Sequence, residues 1–320
     1  MSAAPSDQLV ELRHGERRVL LAPAVGGAIA AFDETHGERV IDWLRPATPA
    51  ALAARDPLGM ASFPLLPYCN RIRDARFVFD GALVDLSGDG NGFAHALHGN
   101  AWRLPWRVGD TSKSRARLHL RHEPSREAAH HWPFAYEATQ DIALDADALA
   151  VTMSARNLSD RPMPFGMGHH PYYPRTRNTR IHARVAAMWH STPDLLPTHA
   201  GPHACVDAMA SVEGMSADAF DLDNNFAGWS RAATIAWPDE GRSIMLDAET
   251  PFDHLVVYAP ASHPGLLCVE PVSNVADWIN LDVDRAMKGG AVLQPGESVS
   301  ARFAWTTCVE RGVAERVRDA

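Results

Sequence analysis

Lysine is almost missing from this chain: Lys113 and Lys288 are its only two in 320 residues, and arginine supplies the rest of the 30 basic side chains. The 39 acidic residues outnumber them, for a net charge of -9. Such a balance repels phosphate backbones and anionic membrane surfaces, which excludes a general nucleic-acid or lipid binder. Cysteine is also scarce. Cys69, Cys205, Cys268 and Cys308 lie far apart with no Cys-x-x-Cys pair, so neither a disulfide framework nor a cysteine zinc site is expected. The uncharged run 19–32 is short and broken by Pro23, Gly26 and Gly27, unfit to span a bilayer. Charges at Asp7, Glu11, Arg13, Glu16, Arg17 and Arg18, with no apolar run before a small-residue cleavage site, do not read as a signal peptide. A soluble, cytoplasmic protein is expected. Gly26-Gly27 lacks the spacing of a dinucleotide loop, and neither a phosphate-binding Gly-x-x-x-x-Gly-Lys-Ser/Thr nor a Gly-x-Ser-x-Gly elbow occurs. Sixteen histidines raise a metal site, above all His119, His122, His130 and His131 near Glu123. None fits His-Glu-x-x-His, and they read as solvated side chains of a strand and its loop.

What is present is alternation. With 46% apolar and 22% charged residues the chain can bury a large core, and 22 glycines and 23 prolines scattered without a period mark many turns. From Ala148 to Asn157, Leu149, Val151, Met153 and Ala155 point one way while Thr152, Ser154 and Arg156 point the other. Residues 298–305 and 115–122 repeat the scheme, the period of strands with one buried face. Asp80-Gly81, residues 87–92 and Gln294-Pro295-Gly296 separate such runs. Helix is expected only over Pro49–Arg55 and Ser125–His131. No strand–helix alternation points to a parallel sheet, and no repeat or linker marks a boundary. The pattern predicts a predominantly antiparallel all-β chain, a single large sandwich across 1–320 with a few short helices.

Five segments combine rare polar residues with turns and aromatics: Pro67-Tyr68-Cys69-Asn70-Arg71-Ile72, Leu97-His98-Gly99-Asn100, Gly168-His169-His170-Pro171-Tyr172-Tyr173-Pro174, residues 222–229 with Asp223 and Phe226, and Cys268-Val269-Glu270-Pro271-Val272-Ser273-Asn274. In these residues the chain resembles the aldose 1-epimerase (galactose mutarotase) family, whose Asn-Arg-Ile, His-Gly, His-Pro-Tyr, Asp-x-x-Phe and Cys-x-Glu signatures occur in this order across 67–280. The resemblance implies a large antiparallel β-supersandwich that binds a free monosaccharide and interconverts its anomers without a cofactor or metal. It implies His170 as general acid, chosen over His169 by the Pro-Tyr that follows it, and Glu270 as general base. Asn70, Arg71, His98 and Asp223 match substrate-holding positions.

The residues suit that chemistry independently. Anomer exchange needs a proton removed from the anomeric hydroxyl and one delivered to the ring oxygen; the ring opens, rotates and recloses. One base and one acid suffice, each contributing roughly 10²–10⁴-fold. Leu266, Leu267, Cys268 and Val269 lead into Glu270 as an apolar strand, with Cys268 and Glu270 on one face. Burial would raise the Glu270 pKa and a cation such as Arg71 would lower it; both directions are open at this level. Pro171 biases His170 to extended geometry. Bland readings stand beside these: Glu270 as an edge charge, His170 as a structural histidine, His98 and Asn70 as turn residues, Arg71 and Asp223 as an ion pair. Phe226, Trp229 and Trp278 could stack on a sugar but more often fill a core. Competing activities are a hexose 6-phosphate mutarotase using Arg71, Arg73, Arg76 or Arg103, a glycoside hydrolase pairing Asp223 with Glu270, and a non-catalytic sugar binder.

Overall fold

A computed structural model describes residues 8–87, 93–124 and 132–310. Two large antiparallel sheets dominate it. The larger has eleven strands, ordered Val10–His14, Arg17–Ala22, Ala28–His36, Ser62–Leu65, Gly168–Pro171, Cys268–Val272, His254–Ala259, Leu222–Ala227, Ala187–Ser191 and Pro197–Gly201, with Arg39–Asp42 also paired to Ala28–His36. The smaller has nine and is centred on Ala148–Asn157 and Ser298–Val309. Val19, Leu21, Phe32, Leu255, Val257 and Val269 of the larger sheet share one buried cluster with Leu118, Ile142, Val151, Ile244, Phe303 and Trp305 of the smaller. The sheets therefore face each other across a common apolar core, as the expected sandwich requires.

Alternation predicted these strands well where one face is wet. Ala148–Asn157 and Arg115–His122 form over the expected residues, and the latter alternates exposed and buried at every step. The strand from Ser298 continues past Trp305 to Val309, because its ladder with Arg242–Ala248 persists to Cys308↔Ser243 and Val309↔Arg242 after the apolar period fades. Asp80 and Gly81, both at positive φ, close the hairpin between Arg76–Phe79 and Ala82–Asp85, the turn such a pair favours. Helix forms at Pro49–Ala54, capped by the Thr48 hydroxyl, which accepts from the Ala51 amide at 3.1 Å, and stopped by Arg55 in the left-handed region. The expected helix at 125–131 lies outside the described residues. A helix at Ala204–Ala210 had no sequence signal; its cap is His203 Nδ1, accepting from the Cys205 amide. No helix among the described residues is long and apolar enough to cross a membrane.

The middle of the larger sheet is covered on both faces. Gly168–Pro171 and Cys268–Val272 are buried throughout, one face on the shared core and the other on a second cluster that includes Phe63, Trp102, Tyr172, Cys268 and Val272. A polar side chain on that outer face sits in an apolar, rigid setting.

Candidate active site

Period two decides which histidine of the pair 169–170 faces which way. His169 enters the core, its ring 5.2 Å from Phe303 and 6.1 Å from Trp305. Its Nε2 lies 3.2 Å from Gln140 Oε1 and its Nδ1 meets the Ser62 hydroxyl. His170 points to the other face, stacked on Phe63 at 4.7 Å and against Tyr172 at 4.8 Å. His169 is thus a structural tie between the sheets, and His170 is the one available to a ligand.

Glu270 stands mid-strand on the neighbouring strand, opposite Val256 of the next, and not at a sheet edge. Cys268 and Glu270 share the outer face with His170. Glu270 Oε1 is 3.4 Å from His170 Nε2, and the two side chains are only 2% and 8% exposed. Glu270 Oε2 and His170 Nδ1 have no hydrogen-bond partner among the described residues. Burial pushes the Glu270 carboxyl well above its ordinary value; the Asp223 charge adds to this and Arg71 opposes it. Burial also lowers the His170 imidazole to about 3, with Arg45 acting in the same direction. Burial therefore prevails over the cation at Glu270, and both groups are driven toward their uncharged forms. A neutral carboxyl beside a neutral imidazole carries one titratable proton, the same number as a carboxylate beside an imidazolium, so the pair titrates as a unit.

Asn70, Arg71, His98 and Asp223 form a second group, assembled from two tight turns. Asn70 sits at φ 61, and its Oδ1 accepts from the Arg71 amide at 2.8 Å and from Arg71 Nη1 at 3.1 Å. Arg71 Nη2 then meets Asp223 Oδ2 at 3.0 Å. The Asn70 amide donates to His98 Nδ1 at 3.1 Å, while the His98 amide donates to the Asn70 carbonyl at 2.9 Å. Because Nδ1 accepts, and because burial with the nearby His170 and Arg71 holds His98 well below its usual pKa, the ring is neutral with its proton on Nε2. The His98 ring meets His170 edge-on at 5.3 Å. Gly99 makes this close packing possible: at φ 68, an added Cβ would lie 2.1 Å from the Leu66 carbonyl oxygen.

All six sequence-derived residues line one cavity of about 320 Å³, near the lower end of the range that accepts a small ligand. The sequence reading missed Arg45, which lines the same cavity. Its guanidinium lies 4.0 Å over the Tyr172 ring, and Nη2 donates to the Leu58 and Met60 carbonyls. No carboxylate among the described residues lies in ion-pair range of it. No motif flags it, since its placement depends on the fold bringing residue 45 beside residue 172. The other cations considered lie elsewhere: Arg73 pairs with Asp277 and Arg76 with Asp85, and Arg103 sits by Trp102 outside the cavity lining. Phe226, Trp229 and Trp278 are buried in apolar clusters and do not line the cavity. Tyr172 and Tyr258 are the aromatics that do, with Phe93. Of the histidines weighed for metal, His122 is buried on Asn100 and the Trp132 carbonyl, His119 is exposed, and His130 and His131 lie outside the described residues.

Comparison with known proteins gives the family and the fold. Residues 8–306 match the family model described as aldose 1-epimerase. The chain is 30% identical over 304 residues to the uncharacterized protein YphB of Escherichia coli (strain K12), covering 91% of this chain and 96% of that one. The fold matches the crystal structure of a candidate aldose 1-epimerase from Escherichia coli K12, with a TM-score of 0.82, 25% identity and coverage of 95% and 99%. It also matches a galactose mutarotase-like protein from Clostridium acetobutylicum, with a TM-score of 0.83, 19% identity and coverage of 94% and 95%.

Proposed function

The chain belongs to the aldose 1-epimerase family, and on that premise we propose that it is a mutarotase that interconverts the α and β anomers of a free hexose or pentose. We read it as one family-like domain over 1–320, acting in the cytoplasm on a small sugar without a nucleic-acid or membrane partner. The observation that carries the reading is the convergence of Glu270 and His170 to 3.4 Å in the cavity that Arg71, His98 and Asp223 also line. Two proton-transfer groups at this separation reach two oxygens that share one carbon, as the anomeric hydroxyl and the ring oxygen do.

In the proposed cycle the anomeric hydroxyl donates to Glu270 and the ring oxygen accepts from His170. Burial alone places the pair's proton on the carboxyl. A hydroxyl donating to Glu270 stabilises the carboxylate form and shifts the shared proton to the imidazole, since a hydrogen bond to the charged form favours it. Glu270 then removes the hydroxyl proton as His170 protonates the ring oxygen; the ring opens to the aldehyde, the C1–C2 bond rotates, and closure on the other face reverses both transfers. The centre returns to its starting proton count each time. His98 presents Nε2–H to a sugar oxygen, and the Asn70-braced Arg71–Asp223 pair offers a charged donor and acceptor to neighbouring hydroxyls. A hydrolase is less well served, because Asp223 is engaged by Arg71 and the group facing Glu270 is an imidazole.

Polarimetry on freshly dissolved α-glucose, α-galactose, arabinose and fucose tests the reading. Accelerated mutarotation of at least one sugar is expected, and no acceleration of any would defeat it. Arg45 favours a second reading. A guanidinium that meets no carboxylate among the described residues and lines the same cavity as His170 suits an anionic substituent next to the ring oxygen, so glucose 6-phosphate belongs in the same panel. A large preference for it over glucose would select the phosphosugar activity.

A further inference from the structure

We propose that the acid–base centre is also a soft-metal site: His170, Cys268 and Glu270 bind one Zn²⁺ ion, which blocks sugar turnover while it is bound. The blocking rests on the mutarotase reading; the binding does not.

Cys268 has no part in the proposed cycle, yet it shares a strand face with Glu270 two residues away and is fully buried. One ligand atom from each of His170, Cys268 and Glu270 lies within 4.8 Å of the others, and no other group of three such side chains gathers this way among the described residues. The histidines at 190, 199 and 203 are neighbours, but two of them stack ring on ring at 4.6 Å and do not converge on a point. Zinc holds nitrogen, sulfur and oxygen ligands at about 2.0–2.3 Å in a tetrahedron, so the three atoms need to close by about 1 Å, within the range of side-chain torsions.

The donor set argues for zinc over harder ions. A thiolate and an imidazole select soft or borderline metals, whereas magnesium prefers oxygen alone. Three protein ligands leave a fourth position facing the cavity, where a water completes the shell. The neutral His170 imidazole offers its nitrogen without losing a proton. Binding releases one proton from the Cys268 thiol and a second from Glu270 when that carboxyl is protonated. Thiolate and carboxylate then cancel the ion's charge, so a pocket that penalises either anion alone accommodates the complex as a neutral unit. Glu270 Oε2, unpartnered in the pocket, is free to serve as the carboxylate ligand. With both proton-transfer groups held by metal, neither can act on a sugar.

The test uses the intact protein and its Cys268→Ser and Cys268→Ala variants, two substitutions so that a folding failure in one leaves the other. Co²⁺ titration read by thiolate-to-metal charge-transfer absorption reports binding without any activity. The proposal expects that band in the wild type, its displacement by Zn²⁺, and its loss in both variants. In the mutarotation assay Zn²⁺ inhibits the wild type, Mg²⁺ does not, and EDTA restores the rate. The variants keep the metal-free rate and need more than about 100-fold more Zn²⁺ for half-inhibition, since losing even an outer support of a ligand reaches that range. Absence of the thiolate band, or equal inhibition of wild type and variants, overturns the site. A wild type that shows the band but turns over no sugar upholds the metal site while refuting the mutarotase reading and the inhibition with it.

Discussion

Replacing Glu270 by glutamine should separate function from stability in opposite directions. The substitution keeps the shape of the side chain and removes the proton acceptor, so mutarotation is expected to fall by about 10²–10⁴-fold, the usual weight of one positioned base. Stability should move the other way. The Glu270 carboxyl is raised by burial above its ordinary 4.5, so between that pH and its folded pKa the folded state holds a proton that the unfolded chain has released. The unfolded state binds fewer protons there, and stability declines as pH rises, by about 1.4 kcal/mol per pH unit until the folded pKa is passed. Glutamine has no such slope. The stability of Glu270→Gln relative to wild type should therefore grow with pH from about 4.5 upward, read as urea midpoints at one-unit intervals alongside polarimetry at each pH. A variant that keeps wild-type activity removes Glu270 from the chemistry. A stability difference that stays flat from pH 4.5 to 8 contradicts the burial account of its pKa.

Acid should destabilise the fold through its buried histidines. Burial lowers His169 and His170 to about 3 and His254 to about 4, so the unfolded chain binds more protons below 6.5, and stability drops as pH falls toward those values by up to about 1.4 kcal/mol per unit per histidine. Urea midpoints that are constant between pH 6.5 and 4 would contradict this. Asn70→Ala removes the acceptor that braces Arg71; a loss of about 10–100-fold in kcat/KM, carried mainly by KM, is expected from one buried hydrogen-bonding anchor, and an unchanged KM would show that Arg71 does not hold the sugar. Gly99→Ala forces a Cβ into the Leu66 carbonyl at a positive φ. It should cost about 1–3 kcal/mol in thermal or chemical unfolding and lower activity by displacing His98, and a fully stable, fully active variant would show that this turn can yield.

The wet-faced strands were legible residue by residue because one side meets water: Arg117, His119 and Arg121 alternate with Leu118 and Leu120, and such a pattern survives only in a half-buried strand. The buried central strands were less legible. Gly168–Pro171 and Cys268–Val272 are apolar-covered on both faces, so no alternation announces them. Glu270 consequently reads from sequence as an edge charge or a motif residue, and only the strand order places it inside the sheet. The motifs named His170, Glu270, Asn70, Arg71, His98 and Asp223 because each sits in a short local signature. Arg45 has none, and its value as a cavity residue arises from a contact with Tyr172 more than a hundred residues away.

Local sequence alone determined the strand-rich, antiparallel character of this protein, its few helices and the residue types of its chemistry, because solvent contrast, turn geometry and short motifs act over a few neighbouring positions. Tertiary structure alone decided that His169 braces the core on Gln140, that burial outweighs Arg71 at Glu270, and that Cys268 stands within metal-binding reach of His170 and Glu270. The physical reason is that desolvation and through-space distance depend on which strands become neighbours, and in this sheet Gly168–Pro171 lies between Ser62–Leu65 and Cys268–Val272, segments far from it in sequence on either side.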